Sequence, residues 1–229
     1  MNINAPIAQR LQEISINIAH ALQTAQRDDQ VLLVAVSKTQ TAKVIREAFS
    51  AGQTVFGENY LQEALSKQQE LTDLTLDWHF IGPIQSNKTS AIAENFSWVH
   101  GVDRLKIAQR LSAGRPPHLP VLNICLQINV SDETSKSGVQ IQDALALATE
   151  IKQLPHLKLR GLMAIPAPTT DKILQHAQFK VLKDCYIDLN NHGLMLDTLS
   201  MGMSDDYQIA IAEGATVVRI GSAIFGTRN

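Results

Sequence analysis

The run VLLVAVSK, residues 31 to 38, decides how the rest of the chain is read. Its apolar residues are consecutive rather than alternating, as a strand covered by protein on both faces requires, and such strands belong to parallel sheets. The run ends on a serine and a lysine, and AKVIREAF (42 to 49) follows with the 3.6-residue period of an amphipathic helix. A buried strand followed at once by a helix is the repeating unit of an α/β fold.

Outward from this unit the alternation persists. Short β-rich runs stand at VFGEN (55 to 59), WHFIGP (78 to 83), WVHGVD (98 to 103) and VLNICLQINV (121 to 130). LRGLMAIP (159 to 166), TLSMGMS (198 to 204) and VVRIG (217 to 221) complete a set of eight candidate strands. Helical stretches near 60 to 71, 86 to 95, 104 to 113, 141 to 154, 171 to 192 and 205 to 214 separate them, with Ser86, Asp103 and Ser204 as candidate caps. Before the first strand, Ile7, Leu11, Ile14, Ile18 and Leu22 fall on one face of a helix. No helix is expected after the eighth strand.

Eight buried strands separated by helices predict closure, so the expected fold is α/β, a single (β/α)8 TIM-type barrel over residues 1–229. The extra N-terminal helix would give the shielding that a helix after strand eight normally gives. An open doubly wound sheet is the alternative. GRPPHLP (114 to 120) reads as a loop, and no repeat or linker divides the chain.

Composition narrows the function classes. The 229 residues carry a formal net charge of -2, with no stripe of Lys and Arg interleaved with aromatics, so nucleic acid is not an expected partner. No basic segment precedes an apolar run at the N-terminus, and no run of about eighteen apolar residues occurs. A cytoplasmic protein without a membrane partner is expected. Cys125 lies in an apolar run and Cys185 in a helical pattern, without CxxC or metal spacing, and both read as buried thiols.

In such a barrel the C-terminal ends of the strands carry the chemistry. Lys38 ends the first strand. Taken alone it reads as a solvated loop lysine; emerging from an apolar mouth it reads as a desolvated amine able to attack an aldehyde. RIGSAIFG (219 to 226) tips this choice. Gly221 and Ser222 at the end of strand eight offer backbone N–H groups suited to phosphate, which barrels often bind after strands seven and eight. Ser200 and Ser204, with Gly202 between them, add hydroxyls from strand seven. A phosphate site beside a lysine on the adjoining strand is the constellation that pyridoxal 5'-phosphate (PLP) needs.

The other candidates stay open. Arg219 is either an ion-pair partner or a group facing the cofactor's pyridine nitrogen, which a permanently charged guanidinium would keep unprotonated. Asn59 either donates to the phenolic oxygen or caps the next helix. His79 points into the barrel as a site residue or as a hydrogen-bonded core histidine. Met163 and Met201 pack on the ring or fill core space. Lys136, after strand five, is a loop lysine or a second aldehyde acceptor.

The runs AVSKT around Lys38, FGENYLQE (56 to 63), WHFIGPIQSNK (78 to 88), SKSG (135 to 138), GLMAIP, LSMGMSDDY (199 to 207) and VRIGSAIFG (218 to 226) resemble, in order, the pyridoxal phosphate homeostasis family, also called the YggS/PROSC type. The resemblance covers nearly the whole chain. It implies a PLP barrel of the fold type shared with the N-terminal half of alanine racemase, with Lys38 as the Schiff-base residue. By that similarity Arg219 takes the ring nitrogen, and Gly221, Ser222 and Ser200 take the phosphate. Gln40 and Thr41 stand where the family often has Lys and Pro. The implied function is a carrier or buffer of PLP in vitamin B6 and amino-acid homeostasis, without catalytic turnover, acting as a monomer and serving PLP-dependent apo-enzymes. The alternative is a PLP-dependent amino-acid racemase, whose additional C-terminal domain with its catalytic tyrosine is not expected here.

Overall fold

The computed structural model describes residues 5–131 and 137–226. Lys136, one of the sequence candidates, lies outside the described residues. The strands are β1 (Leu32–Val36), β2 (Val55–Glu58), β3 (Asp77–Phe80), β4 (Trp98–Val102), β5 (Leu122–Gln127), β6 (Leu157–Met163), β7 (Thr198–Ser200) and β8 (Val217–Ile220). They pair in parallel in sequence order, and β8 returns to β1 with Val34 opposite Arg219, which closes the barrel. The open-sheet alternative is thereby excluded.

The outer layer follows from the apolar faces of the helices. α1 (Ile7–Thr24) precedes the barrel; α2 (Ala42–Ser50), α3 (Leu61–Glu70), α4 (Thr89–Asn95) and α5 (Leu105–Gly114) cover its first half. α6 (Ile141–Lys152), α7 (Lys172–Asn191), α8 (Tyr207–Ala212) and α9 (Ser222–Phe225) cover the second. α1 buries Ile7, Leu11, Ile14, Ile18 and Ala21, and packs on α2, α8 and α9, so it shields the β8–β1 seam as its periodicity predicts. Arg27, just past α1, donates to the Ile211 and Ala215 carbonyls and so satisfies acceptors at the C-terminal end of α8.

Two expectations are corrected. The chain does form a helix after the last strand, the single turn α9, because the residues after Gly221 hydrogen-bond back to Gly221 and Ser222. The side-chain caps are also not Ser86, Asp103 and Ser204. Ser86 opens a 3-10 turn, Ser86–Lys88, and Arg104 rather than Asp103 precedes α5. Ser204 accepts from the Ala223 amide of α9 instead of capping α8. The caps observed are Thr41 on α2 and Asp171 on α7, each accepting from an amide in its helix's first turn.

Core packing is continuous from α1 through the strands to the outer helices. Cys125 and Cys185 are buried in it, and burial pushes their thiols up to about 12 and about 11. The barrel interior is the exception to this apolar packing: it holds His79, His100, Ser200 and Arg219, each at most 4 % exposed.

Candidate functional site

β1 ends at Val36, and the chain then turns through Ser37, Lys38, Thr39 and Gln40, closed by a hydrogen bond from the Gln40 amide to the Ser37 carbonyl. Lys38 is thus lifted off the end of the strand onto the barrel mouth. Thr39, directly after it, has φ +66°, an uncommon conformation for a β-branched residue. A cavity of about 480 Å³ opens here, and Lys38, Asn59, Arg219, Gly221 and Ser222 all line it. Ser204 and Gln40 line it too.

Asn59 follows β2. It does not cap α3, whose capping position is Tyr60 without a side-chain cap bond, so that alternative is closed. Its Oδ1 is buried and has no partner among the described residues. Gly82 makes this position possible: a Cβ there would lie 2.3 Å from the Asn59 carbonyl oxygen, so only glycine lets the end of β3 pass so close. Gly221 serves a related purpose. A Cβ on it would stand 3.2 Å from the Val36 carbonyl oxygen and 3.3 Å from the Val36 Cβ, so its smallness brings β8 against the last residue of β1. The Ser222 amide, the first of α9, has no acceptor among the described residues.

Arg219 reaches the cavity from inside β8. Nη1 donates to Ser200 Oγ at 2.7 Å and Nη2 to the Ala164 carbonyl at 3.0 Å. These acceptors are neutral, and burial lowers its pKa to about 10, which leaves it charged at neutral pH. The ion-pair alternative for Arg219 therefore has no support among the described residues.

Ser200, His79, Met163 and Met201 do not line the cavity. Met163 and Met201 are buried core residues. Ser200 and His79 belong to a chain of hydrogen bonds that crosses the barrel interior. His100 Nδ1 lies 2.7 Å from Ser200 Oγ, His100 Nε2 lies 3.0 Å from His79 Nδ1, and His79 Nε2 lies 3.4 Å from Asp77 Oδ2. One proton order pairs every atom of the chain: Arg219 can only donate, and the Ser200 hydroxyl, which accepts from it, donates to His100 Nδ1. His100 then carries its proton on Nε2, toward His79, and His79 on its own Nε2, toward Asp77. Burial, and then the nearby charge of Arg219, hold the His100 pKa well below the usual imidazole range, consistent with the neutral form this order needs. His100 was not singled out by the sequence. The available signal was its strand parity: Trp98 and His100 alternate along β4 as Asp77 and His79 do along β3.

The chain resembles known proteins over nearly its whole length. The alanine racemase N-terminal domain model matches residues 9–229. A pyridoxal phosphate homeostasis protein from Pseudomonas aeruginosa is 61% identical over 224 residues, which are 97% of this chain and 96% of that protein. The chain belongs to the pyridoxal phosphate homeostasis protein family. Another member of this family, from Escherichia coli, is 48% identical over 227 residues, 97% of each chain. The solved structure of PipY from Synechococcus elongatus with PLP bound superposes with a TM-score of 0.85 at 38% identity, over 96% of this chain and 100% of that one. Alanine racemase from Corynebacterium glutamicum shares the fold at 19% identity, TM-score 0.69, over 95% of this chain and 62% of its own.

Proposed function

We propose that the chain binds PLP through the Lys38 amine and serves pyridoxal phosphate homeostasis as a carrier or buffer without turnover. The observation that carries this reading is the shared cavity: Lys38 on β1 and Arg219, Gly221 and Ser222 on the adjoining β8 open onto one space. The residues fit the group. Among the described residues, Asn59 Oδ1 is a buried polar atom without a partner and the Ser222 amide is a donor without an acceptor. Family membership and the PLP bound to PipY support the same reading.

In this reading Lys38 supplies the amine that condenses with the aldehyde. Ser222, with the Ser204 hydroxyl and the backbone at Gly221, holds the phosphate. Arg219 faces the pyridine nitrogen and, being charged, keeps it unprotonated. Ser200 does not touch the cavity and acts by holding Arg219. When bound, PLP offers an electrophilic aldehyde and, with its ring nitrogen unprotonated, a weak electron sink. Rapid chemistry at an amino-acid α-carbon also needs a positioned acid and base on opposite faces of the substrate, each worth roughly a hundredfold to ten-thousandfold. Tyr60, Tyr186 and Tyr207 lie at or in the outer helices α3, α7 and α8, and none lines the cavity. Lys38 is left without an opposite-face tyrosine among the described residues.

Among those residues no helix is long and apolar enough to cross a membrane. The proposal includes a cytoplasmic location, a single functional unit over the whole chain, and transfer of PLP to apo-enzymes by a monomer. The test of the non-catalytic part is α-hydrogen exchange of alanine and serine in deuterated water with the loaded protein. Exchange no faster than with free PLP supports it. Enzyme-like exchange that disappears in Lys38→Ala would establish the racemase instead.

A further inference from the structure

Behind the Lys38 turn lies a buried cluster of charges that the site described above does not use. Lys67 of α3, only 4 % exposed, donates through Nζ to Glu58 Oε1 at 2.8 Å, to Glu63 Oε1, and to the Ser37 carbonyl at 2.8 Å. Ser37 Oγ donates to the same Glu58 oxygen, and Glu63 Oε1 accepts from the Thr39 amide. Glu58 is fully buried, its Oε2 has no partner among the described residues, and burial raises its carboxyl's pKa.

Stability alone does not account for this arrangement, because a buried ion pair is often matched or exceeded by apolar side chains of similar volume. What the cluster touches is more informative. Two of its bonds end on main-chain atoms that flank Lys38: the Ser37 carbonyl before it and the Thr39 amide after it. The turn they hold has its positive φ confined to Thr39, its third residue, the pattern of a type II turn, in which glycine or asparagine is the ordinary occupant. A threonine persists in such a conformation only where its surroundings over-determine it.

We propose that Glu63 and Lys67, anchored by Glu58, are positioning residues for Lys38: they clamp the strained turn and so fix where the amine enters the cavity. This rests on the reading of Lys38 as the covalent anchor of PLP. Glu63 is the most accessible member and sits on the surface of α3, so Glu63→Ala tests the clamp with little risk to folding. Glu63→Gln keeps an acceptor for the Thr39 amide but gives up the charge facing Lys67.

The rate at which PLP forms its covalent adduct is followed by visible absorbance in wild type, Glu63→Ala and Glu63→Gln. Equilibrium binding of PLP is measured by fluorescence in Lys38→Ala with and without Glu63→Ala. Amide exchange at Thr39 and Gln40 is measured without cofactor. Glu63→Ala should slow adduct formation by about tenfold, the equivalent of one hydrogen bond to a charged group, and Glu63→Gln should recover part of the loss. Binding to Lys38→Ala should change by less than about twofold, since no coupling remains once the amine is gone. Exchange at Thr39 should speed up. Equal losses in both backgrounds, or an unchanged rate together with unchanged exchange, would overturn the proposal. Failure of the wild-type chain to form any adduct on Lys38 would instead overturn the reading beneath it, and the cofactor-free exchange would still decide whether the cluster holds the turn.

Discussion

Ser200→Ala removes one hydroxyl from the middle of the interior chain, and the structure allows its cost to be worked out. The oxygen accepts from Arg219 Nη1 at 2.7 Å and pairs with His100 Nδ1 at 2.7 Å. Loss of a hydrogen bond to a charged donor costs about 1.5–3 kcal/mol, and a buried acceptor left unpaired on His100 costs about 1–3 kcal/mol. The two overlap, since both sides lose the same oxygen, so about 3 kcal/mol is expected. At about 2–4 °C per kcal/mol for a chain of this size, the midpoint should fall by about 6–12 °C. Urea unfolding of the cofactor-free protein gives the free energy directly, and Ser200→Ala combined with His100→Leu supplies a control. With His100 absent the serine substitution strands only Arg219, so its cost should shrink by about 1 kcal/mol or more. A loss below about 1 kcal/mol for Ser200→Ala alone would refute the buried hydrogen bonds assigned to Ser200.

Two further outcomes follow from the same geometry. The folded pKa of His100 lies well below its unfolded value of about 6.5, so below that pH the unfolded chain binds the extra proton and stability falls as the solution is acidified. The slope from this residue approaches about 1.4 kcal/mol per pH unit. Glu58, raised by burial, works in the opposite sense, so urea titrations of wild type and His100→Leu from pH 7 to pH 5 should be compared by difference; identical slopes would contradict the assignment. Gly221→Val places side-chain atoms against Val36, two residues before Lys38, and so shifts the backbone that leads into the Ser222 amide. Titrations should show PLP binding weakened more than pyridoxal binding, because only PLP carries the phosphate, and equal weakening would count against a phosphate at Ser222.

How far the sequence could be read varied with the kind of feature. The barrel was legible because β1 reads as a continuous apolar run whose successive residues Val34 and Ala35 are both buried, and because α1 repeats Ile7, Leu11, Ile14 and Ile18 on one face. Lys38, Arg219, Gly221 and Ser222 were legible because each stands at or near the mouth end of β1 or β8, strands that only closure makes neighbours. The caps were less so. Ser86 and Ser204 have the right chemistry for capping, but main-chain geometry one or two residues away moved the helix starts. The buried cluster was the hardest to see. Glu63 and Lys67, four residues apart on a polar helix, have the spacing of an ordinary surface pair, and only the approach of the Lys38 turn to α3 buries them. His100 was hidden for a similar reason, since a strand histidine acquires a role only from the residues opposite it across a closed barrel.

The most direct test of the site is chemical. The purified protein is incubated with PLP, reduced with borohydride, digested and mapped by mass spectrometry. The reduced cofactor should be found on the peptide that contains Lys38, and Lys38→Ala should lose both the label and the visible absorbance of the adduct. A label on the peptide containing Lys136, or on no lysine, would contradict the assignment of Lys38 as the residue that holds PLP.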